Sequence, residues 1–370
     1  MRRLFRKIKN WFDSTKYKFV ILANYLKHGA FIKKELRLNP QPKLSKEHKR
    51  EIKDYFKSYG FGGIRLFWHQ FYGGYKNNYS KNYIPQDLFF SHIEVALNRY
   101  DYSKLQDKNI LDKIFEGVSQ PNTIIKNING FYQKNNIIIS RQQAVEIIAQ
   151  YDSIIIKPTI DTSGGKNVQK LDFSSSELIN IRKNKIEKVL NIYNKEFVIQ
   201  EIVNQSEEMR SLNPTSLNTI RICTYLNNSG VNVLFSIVRF GGKGVSIDNV
   251  SQGGYYCVID ENGSLDERAY DTWKKTIKIT PGGAVLKNFE IPNYIKVIET
   301  VNKLHQQVPY FRMISWDIAL DASNTPILIE SNIFSQSIDF QSVTGPLFKE
   351  FTDEVLLITQ NFKQQLNYTN

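Results

Sequence analysis

Short runs of β-branched residues, recurring from residue 121 onward, limit the fold of this 370-residue chain more than any other feature. The runs lie at residues 123–125, 137–139, 154–156 and 197–199, between helical stretches at 141–150 and 175–193. Strand-type runs that alternate with helical stretches are typical of an α/β or α+β core. With 41% hydrophobic residues, the chain is long enough to bury such a core in two or three associated lobes.

Positive charge is concentrated at the N-terminus. Residues 1–53 hold 16 Lys and Arg against 4 Asp and Glu, whereas the remaining residues hold 33 against 32. Apolar residues from Leu4 to Phe12 recur at spacings of three and four between basic residues, which predicts an amphipathic helix with a cationic face. Such a helix can lie in an anionic headgroup layer. A helix packed on the body of the protein is the alternative.

We therefore expect residues 1–37 to contact an anionic membrane surface. No nucleic-acid reader motif follows the leader, so we expect no nucleic acid as a partner. Cys223 and Cys257 lie in apolar runs and are expected to be buried thiols in a reducing compartment. The apolar run near the start is shorter than the roughly 20 residues of a spanning helix. The predicted location is cytoplasmic, with peripheral association at the inner membrane face.

A lysine followed by a loop of small residues marks a candidate nucleotide site. Lys157 ends an isoleucine run, and the loop contains Ser163, Gly164 and Gly165. Lysine supplies a point charge for phosphate oxygens, and glycines let backbone amides approach them closely. The spacing is not that of a Walker A loop, and an ordinary hairpin turn is an alternative. Further on, Glu201 ends an apolar strand, where the backbone and a carboxylate can bind adenine.

Two predicted strands near the C-terminus carry oxygen ligands. They lie at residues 315–321 and 327–330 and are joined by a short turn. Asp317 is on the first strand, and Glu330 and Asn332, two residues apart, project to one face of the second. Hard oxygen ligands at a sheet edge suit magnesium that is held partly by substrate phosphates. Polar residues that only satisfy backbone groups at strand ends are the alternative.

These three windows, in this order and spacing, resemble the ATP-grasp superfamily, and most closely its sugar-transfer-associated family from bacterial cell-surface polysaccharide clusters. The resemblance covers residues 87–362, and its most specific string is Ser-Leu-Asn-Thr-Ile-Arg at 216–221. It implies an α+β ATP-grasp fold, in which two α+β lobes clasp ATP, preceded by a basic helical N-terminal region. The predicted divisions are a leader at 1–53, an aromatic and helical lobe at 54–120, a central lid subdomain at 121–203 and a C-terminal subdomain with the metal site at 204–370.

The resemblance also implies roles for individual residues. The nucleotide would be held at its phosphates by Lys108 and Lys157, under the loop with Ser163, Gly164 and Gly165, and at its adenine by Gln200, Glu201, Ile202 and Val203. The ribose would be held by Glu208 or, alternatively, Glu207. Two Mg²⁺ ions, or Mn²⁺, would be bound by Asp317, Glu330 and Asn332. Arg221 and Arg239 would stabilise the transferring phosphate and the later tetrahedral oxyanion. Asn249 would orient the acyl phosphate.

The expected activity is an ATP-dependent ligase that converts a carboxylate to an acyl phosphate and joins it to an amine or thiol, with a small acid and a glycan precursor as substrates. An ATP-binding component without ligase turnover, or a kinase of a polysaccharide-assembly complex, is the alternative. The aromatic, glycine-rich segment at 59–83 could stack a sugar ring or pack a small N-terminal lobe.

Overall fold

The computed structural model describes residues 29–30, 32–75, 78–160, 167–174, 176–244 and 250–368. Two antiparallel sheets with helices packed against them form the body of the protein. This confirms the predicted α+β class. Most of the basic leader lies outside the described residues, as do loop residues 161–166 and Asn249.

The first sheet has six strands in the order β3-β2-β1-β6-β4-β5, and all pairs are antiparallel. The strands are β1 (Thr123–Ile128), β2 (Phe131–Lys134), β3 (Ile137–Ile139), β4 (Ser153–Pro158), β5 (Gln169–Asp172) and β6 (Phe197–Gln200). Isoleucines of β1 and β4 pack against helices Arg141–Ile148 and Ile179–Tyr193. On the opposite face, Lys126 and Lys157 flank Val198, because both residues pair with it in the register. The face opposite these two helices therefore carries two lysines.

The second sheet has seven strands in the order β11-β10-β9-β8-β7-β12-β13. The strands are β7 (Thr219–Asn227), β8 (Gly230–Phe240), β9 (Tyr255–Ile259), β10 (Leu265–Tyr270), β11 (Thr276–Ile277), β12 (Met313–Leu320) and β13 (Pro326–Asn332). One face packs against helix Tyr294–Gln306 through residues such as Trp316 and Val301. The other face packs against N-terminal and C-terminal helices through Tyr225 and Phe348. The predicted antiparallel pairing of the last two strands is confirmed.

Helices connect and cover the two sheets in the described part of the chain. The α-helices are α1 (Lys46–Ser58), α2 (Phe67–Tyr75), α3 (Gln86–Leu88), α4 (Glu94–Leu97), α5 (Leu111–Ile114), α6 (Arg141–Ile148), α7 (Ile179–Tyr193), α8 (Glu207–Leu212), α9 (Tyr294–Gln306), α10 (Gln341–Thr344) and α11 (Thr352–Tyr368). A π-helical turn, Phe89–Ile93, joins α3 to α4, and 3₁₀ turns are Tyr100–Gln106, Lys108–Ile110, Val250–Gln252 and Lys349–Phe351. Helix α6 begins with a capping box between Ser140 and Gln143, which satisfies exposed backbone amides of its first turn.

The aromatic segment 59–83 is largely a packing element. Trp68, Tyr72 and Tyr83 are buried in one hydrophobic cluster, which also contains Ile32 from within the predicted leader. A ring that stacks on a sugar must be accessible, and these rings are not. For these three side chains, packing in a small N-terminal lobe therefore agrees with the structure, and stacking on a sugar ring does not.

Several sequence boundaries can be placed on this fold. The predicted boundary after residue 53 falls inside α1, which buries Ile52 and Phe56. The boundary after residue 120 precedes β1, and the boundary after residue 203 follows β6.

Both cysteines are buried, as predicted. Among the residues that the structure describes, no helix has the length and apolar character needed to cross a membrane.

Candidate active site

Charged residues from four adjacent strands meet on one face of the seven-stranded sheet. The register aligns Glu330 on β13 with Asp317 on β12, and Asp317 with Arg221 on β7. Residues directly opposite each other in antiparallel strands project to the same face. Arg221 donates two hydrogen bonds to the Asp317 carboxylate, at 2.8 and 2.7 Å. The Arg239 guanidinium on β8 lies 3.1 Å from Asp317 Oδ2, and Asn332 Nδ2 donates to the same oxygen at 3.3 Å.

Asp317 is buried, with 3% of its surface exposed, yet it is held as an anion. Burial alone would raise the pKa of its carboxyl. The positive charges of Arg221 and Arg239, and the hydrogen bonds from Arg221 and Asn332, outweigh burial and lower that pKa below its ordinary value. Asp317 and the two arginines therefore form a charged cluster with a net positive charge.

Two lysines lie near Glu330, Lys108 from the 3₁₀ turn before β1 and Lys157 from β4 of the six-stranded sheet. Lys108 Nζ lies 2.8 Å from Glu330 Oε1, and the Lys108 backbone N–H donates to the Thr159 carbonyl at 3.3 Å. Burial and the charge of Lys108 lower the pKa of Lys157 to about 8, although Glu330 opposes the shift. Lys157 therefore lies within electrostatic range of both Lys108 and Glu330. The nucleotide prediction depends on this proximity.

A cleft of about 1010 Å³ lies between the two sheets. One wall includes Ile128 and Thr159, and the opposite wall includes Arg221, Arg239 and Glu330. A small cavity of about 10 Å³ adjoins it at Lys108, and its lining includes Lys126, Lys157, Gln200 and Leu328. Both cavities combine groups from the two sheets, so a ligand that fills them would contact both.

A sequence model of the family described as "Sugar-transfer associated ATP-grasp" matches residues 91–355. The chain belongs to this family. The matched region contains all thirteen strands of the described residues and every site residue predicted from Lys108 to Asn332. No curated protein sequence matches the chain.

Solved structures with a similar arrangement include several ligases. D-cycloserine synthetase DcsG is 13% identical over 70% of this chain and 70% of its own, with a TM-score of 0.40. The D-alanine–D-alanine ligase of Bacillus anthracis is 13% identical over 70% of this chain and 69% of its own, with a TM-score of 0.39. The VanG D-Ala:D-Ser ligase of Enterococcus faecalis is 12% identical over 69% of this chain and 61% of its own, with a TM-score of 0.42. At such scores, these likenesses say nothing about substrate.

The predicted adenine residues of this ATP-grasp protein lie at the end of β6. Gln200 is buried and donates through Nε2 to Thr123 Oγ1 at 3.2 Å, while its Oε1 has no hydrogen-bond partner among the described residues. Glu201 accepts a hydrogen bond at 2.6 Å from the side chain of Asn122. Ile202 and Val203 continue the chain from β6 with partial exposure. Gln200 Oε1 is therefore a buried acceptor whose hydrogen-bonding capacity is unused among the described residues.

The predicted ribose residues do not line either cavity, and the predicted loop residues lie outside the described part of the chain. Glu208 is exposed in the first turn of α8, and neither Glu208 nor Glu207 is among the residues that line the two cavities. The lid residues Ser163, Gly164 and Gly165 and the predicted catalytic Asn249 lie outside the described residues. Their roles stay predictions.

The donor chemistry of the ATP-grasp sheet edge fits magnesium. Two carboxylates, on Asp317 and Glu330, and the amide oxygen of Asn332 lie on one sheet face, and Mg²⁺ prefers such hard oxygen donors. The described residues contain no cluster of three or more His, Cys, Asp or Glu side chains that could hold a metal ion. Phosphate oxygens and water would therefore have to complete the coordination.

Sequence reasoning missed Lys126. It is buried on β1, and its ammonium contacts both oxygens of Asp112, at 2.6 and 2.7 Å, and the Asn109 carbonyl at 2.7 Å. It also lines the small cavity beside Lys157. One signal was available, because a lysine inside an otherwise apolar strand is rarely buried without a partner.

Proposed function

We propose that this ATP-grasp protein is an ATP- and magnesium-dependent ligase, which activates a carboxylate as an acyl phosphate and joins it to an amine or thiol. The observation that carries the proposal is the proximity of Lys108, Lys157 and Glu330, whose charges act on one another. Lys108 and Glu330 line the large cleft together with Arg221 and Arg239. A triphosphate requires several cations in one place, and a transferring phosphoryl group requires them in a site from which water can be excluded.

The nucleotide would lie in the cleft, with its phosphates towards Lys108 and the small cavity that adjoins it. Lys108 and Lys157 would bind its phosphates, since both line the small cavity and Lys108 lines the cleft as well. The adenine would lie at the end of β6, where the backbone of 201–203 would bind the ring edge. The loop with Ser163, Gly164 and Gly165 would close over the phosphates.

Magnesium, as one ion or two, would be held by Asp317, Glu330 and Asn332, and when bound it would neutralise charge on the β- and γ-phosphates. To bind the ion, Glu330 must first break its ion pair with Lys108, because Lys108 Nζ lies 2.8 Å from Glu330 Oε1. The same change would turn Lys108 towards the phosphates. Asp317 would keep Arg221 as a fixed neighbour through its two hydrogen bonds.

The chemistry has two steps. A carboxylate oxygen of the acid attacks the γ-phosphorus, the bond from phosphorus to the ADP oxygen breaks, and an acyl phosphate forms. An amine then attacks the carbonyl carbon, loses a proton, and expels inorganic phosphate. Negative charge grows on the phosphoryl oxygens and then on the carbonyl oxygen, and the guanidinium groups of Arg221 and Arg239 are positioned to stabilise it.

Trapping the acyl phosphate tests this function. The full chain is incubated with ATP, magnesium, a panel of small acids and hydroxylamine, and the products are assayed for hydroxamate and ADP. A ligase gives hydroxamate and ADP together, both dependent on the acid. An ATP-dependent kinase that phosphorylates a hydroxyl gives ADP without hydroxamate, and a nucleotide-binding component gives neither.

Nucleotide binding is expected to weaken as pH rises through about 8, the lowered pKa of Lys157. Below this pH the buried side chain is a cation that attracts phosphate, and above it the amine is neutral. The affinity for ADP should fall by nearly tenfold per pH unit, which is the limit when binding is linked to one proton. Calorimetry with ADP from pH 7 to pH 9 measures it. Lys157→Arg, which stays charged, should give a nearly flat profile, and an equally steep one would contradict the role of Lys157.

The polysaccharide setting and the membrane contact are further parts of the proposal. They are supported by the family description and by the basic, amphipathic pattern of the leader. A glycan precursor on a lipid carrier would be reached most easily by a protein held at an anionic surface.

Removal of residues 1–28 is expected to abolish co-sedimentation with phosphatidylglycerol vesicles while ADP release persists. The cut should end before Gly29, because Ile32 and Glu35 are buried in the body of the protein. In the full chain, glutamine at Arg2, Arg3, Arg6, Lys7 and Lys9 should weaken vesicle binding with the apolar residues unchanged. Equal co-sedimentation of the truncated and full chains would contradict the leader as an anchor.

A further inference from the structure

A turn after β10 directs Lys274 into the cleft. Lys274 has φ = +61°, a left-handed conformation that is unfavourable for a residue with a Cβ atom. Asp271 stabilises this turn, because its side chain accepts hydrogen bonds from the backbone N–H groups of Trp273 and Lys275 at 2.8 and 2.9 Å. Strained backbone that the surrounding structure enforces is concentrated at functional sites. The position of Lys274 is thus a fixed feature of the fold.

The Lys274 side chain lies over Tyr256 on β9. Its Nζ donates to Tyr256 Oη at 2.5 Å and lies 4.9 Å from the centre of the ring. Tyr256 is directly opposite Arg239 in the β8–β9 register, so the tyrosine and the arginine share a sheet face. Lys274, Tyr256 and Arg239 all line the cleft. A group bound at Lys274 would therefore lie beside the cations assigned to the reacting centre.

Asp339 lies on the same part of the cleft wall. Gln86 and Ser337 donate to its Oδ1 at 3.0 and 2.7 Å, which fixes the carboxylate. Burial lowers the pKa of Lys274 to about 8, and Asp339 is the nearby charge that opposes this shift most strongly. The two side chains act on each other at a distance, since no ion pair within 4.0 Å joins them among the described residues. Lys274 and Asp339 thus share one wall of the cleft without a direct ion pair, and Glu35 and Asp271 add negative charge near the same lysine.

We propose that Lys274, Tyr256 and Asp339 bind a substrate that carries both a carboxylate and an ammonium group, as an α-amino acid does. Lys274 and the Tyr256 hydroxyl would bind the carboxylate, and Asp339 would bind the ammonium group. This assignment rests on the proposed function, because it concerns the second substrate of the same cleft. A cation and an anion that line one wall of a cleft without a direct ion pair can each bind the opposite charge of a single ligand.

Binding is measured with alanine, serine and phenylalanine, each in both configurations. Each is compared with its α-carboxamide, which lacks the anion, and with its des-amino acid, which lacks the cation. Calorimetry uses the full chain with and without ADP and magnesium. At least one amino acid should bind about tenfold more tightly than both of its analogues, as expected when a charged contact is lost. ADP binding is measured separately, so a failure of the nucleotide site is seen on its own.

Two substitutions should remove the two preferences independently. Lys274→Gln should abolish the preference over the carboxamide and keep the preference over the des-amino acid, and Asp339→Asn should do the reverse. Lys274→Arg should retain both preferences, and Lys275→Gln, an exposed lysine of the same turn, should match wild type. Unchanged ADP affinity shows that each variant is folded. The assignment is overturned if no tested amino acid binds better than its analogues, or if both preferences survive both substitutions.

Discussion

Glu330→Gln is expected to lower acid-dependent ADP release by about 10³-fold, the upper range for removal of one electrostatic contact in a reaction centre. Glutamine keeps the shape of the side chain and loses the charge that attracts Lys108 at 2.8 Å and would hold magnesium. Glu330 is partly exposed, with a side-chain exposure of 29%, so the fold should survive. Steady-state ADP release at saturating ATP and magnesium measures the effect.

The matched control is Glu267→Gln, the same substitution at an exposed position of β10 in the same sheet. It should leave ADP release unchanged. Thermal unfolding of both variants separates a damaged site from a damaged fold. Near-normal turnover in Glu330→Gln would refute the assignment of this carboxylate to the metal site, although the ATP-grasp fold would stand.

The acidic strand pair was predictable because its information is local. Strands β12 and β13 are separated by a five-residue turn, so the two runs of apolar residues and the short gap between them predict an antiparallel hairpin. Within a hairpin, the period of two places Glu330 and Asn332 on one face. Local patterns thus sufficed to predict the hairpin and to place Glu330 and Asn332 on one face of it.

The partners of these ligands could not be predicted in the same way. Arg221 and Asp317 are 96 residues apart, and their contact depends on the register between β7 and β12. Register over such a distance is set by burial of whole sheet faces, which a single sequence does not specify. The sequence therefore indicated Arg221 as a cation for phosphate and did not indicate that it neutralises a buried carboxylate.

Lys126 and Lys274 are two further residues whose contacts the sequence does not predict. Lys126 contacts Asp112 and Asn109, which lie in a separate helical segment, so its own strand gives no sign of them. Lys274 is itself the left-handed residue of its turn, a position where glycine or asparagine is the usual signal. Side chains that reach a site through irregular backbone are thus the hardest to find from sequence.

Arg221→Met is expected to lower both stability and turnover. Asp317 is buried and receives two hydrogen bonds from Arg221, so removal of this arginine leaves the carboxylate with Arg239 as its remaining cation at 3.1 Å. Breaking a buried ion pair from one side costs about 3 kcal/mol or more, and Arg239 should reduce that cost. Loss of a cation at the transferring phosphate should lower ADP release by about 10²-fold.

The two effects can be separated by a partner substitution. Asp317→Asn in the Arg221→Met background removes the buried charge that has lost Arg221, so part of the lost stability should return. Turnover should stay low, because Arg221 and a carboxylate assigned to magnesium are then both absent. Arg210→Met, at an exposed position of α8, should alter neither property. Denaturant unfolding measures stability, and single-turnover ADP release measures the chemistry. Stability unaffected by Arg221→Met would mean that solvent or Arg239 alone satisfies Asp317, and recovery of turnover in the double variant would exclude a direct role for Arg221 at the phosphate.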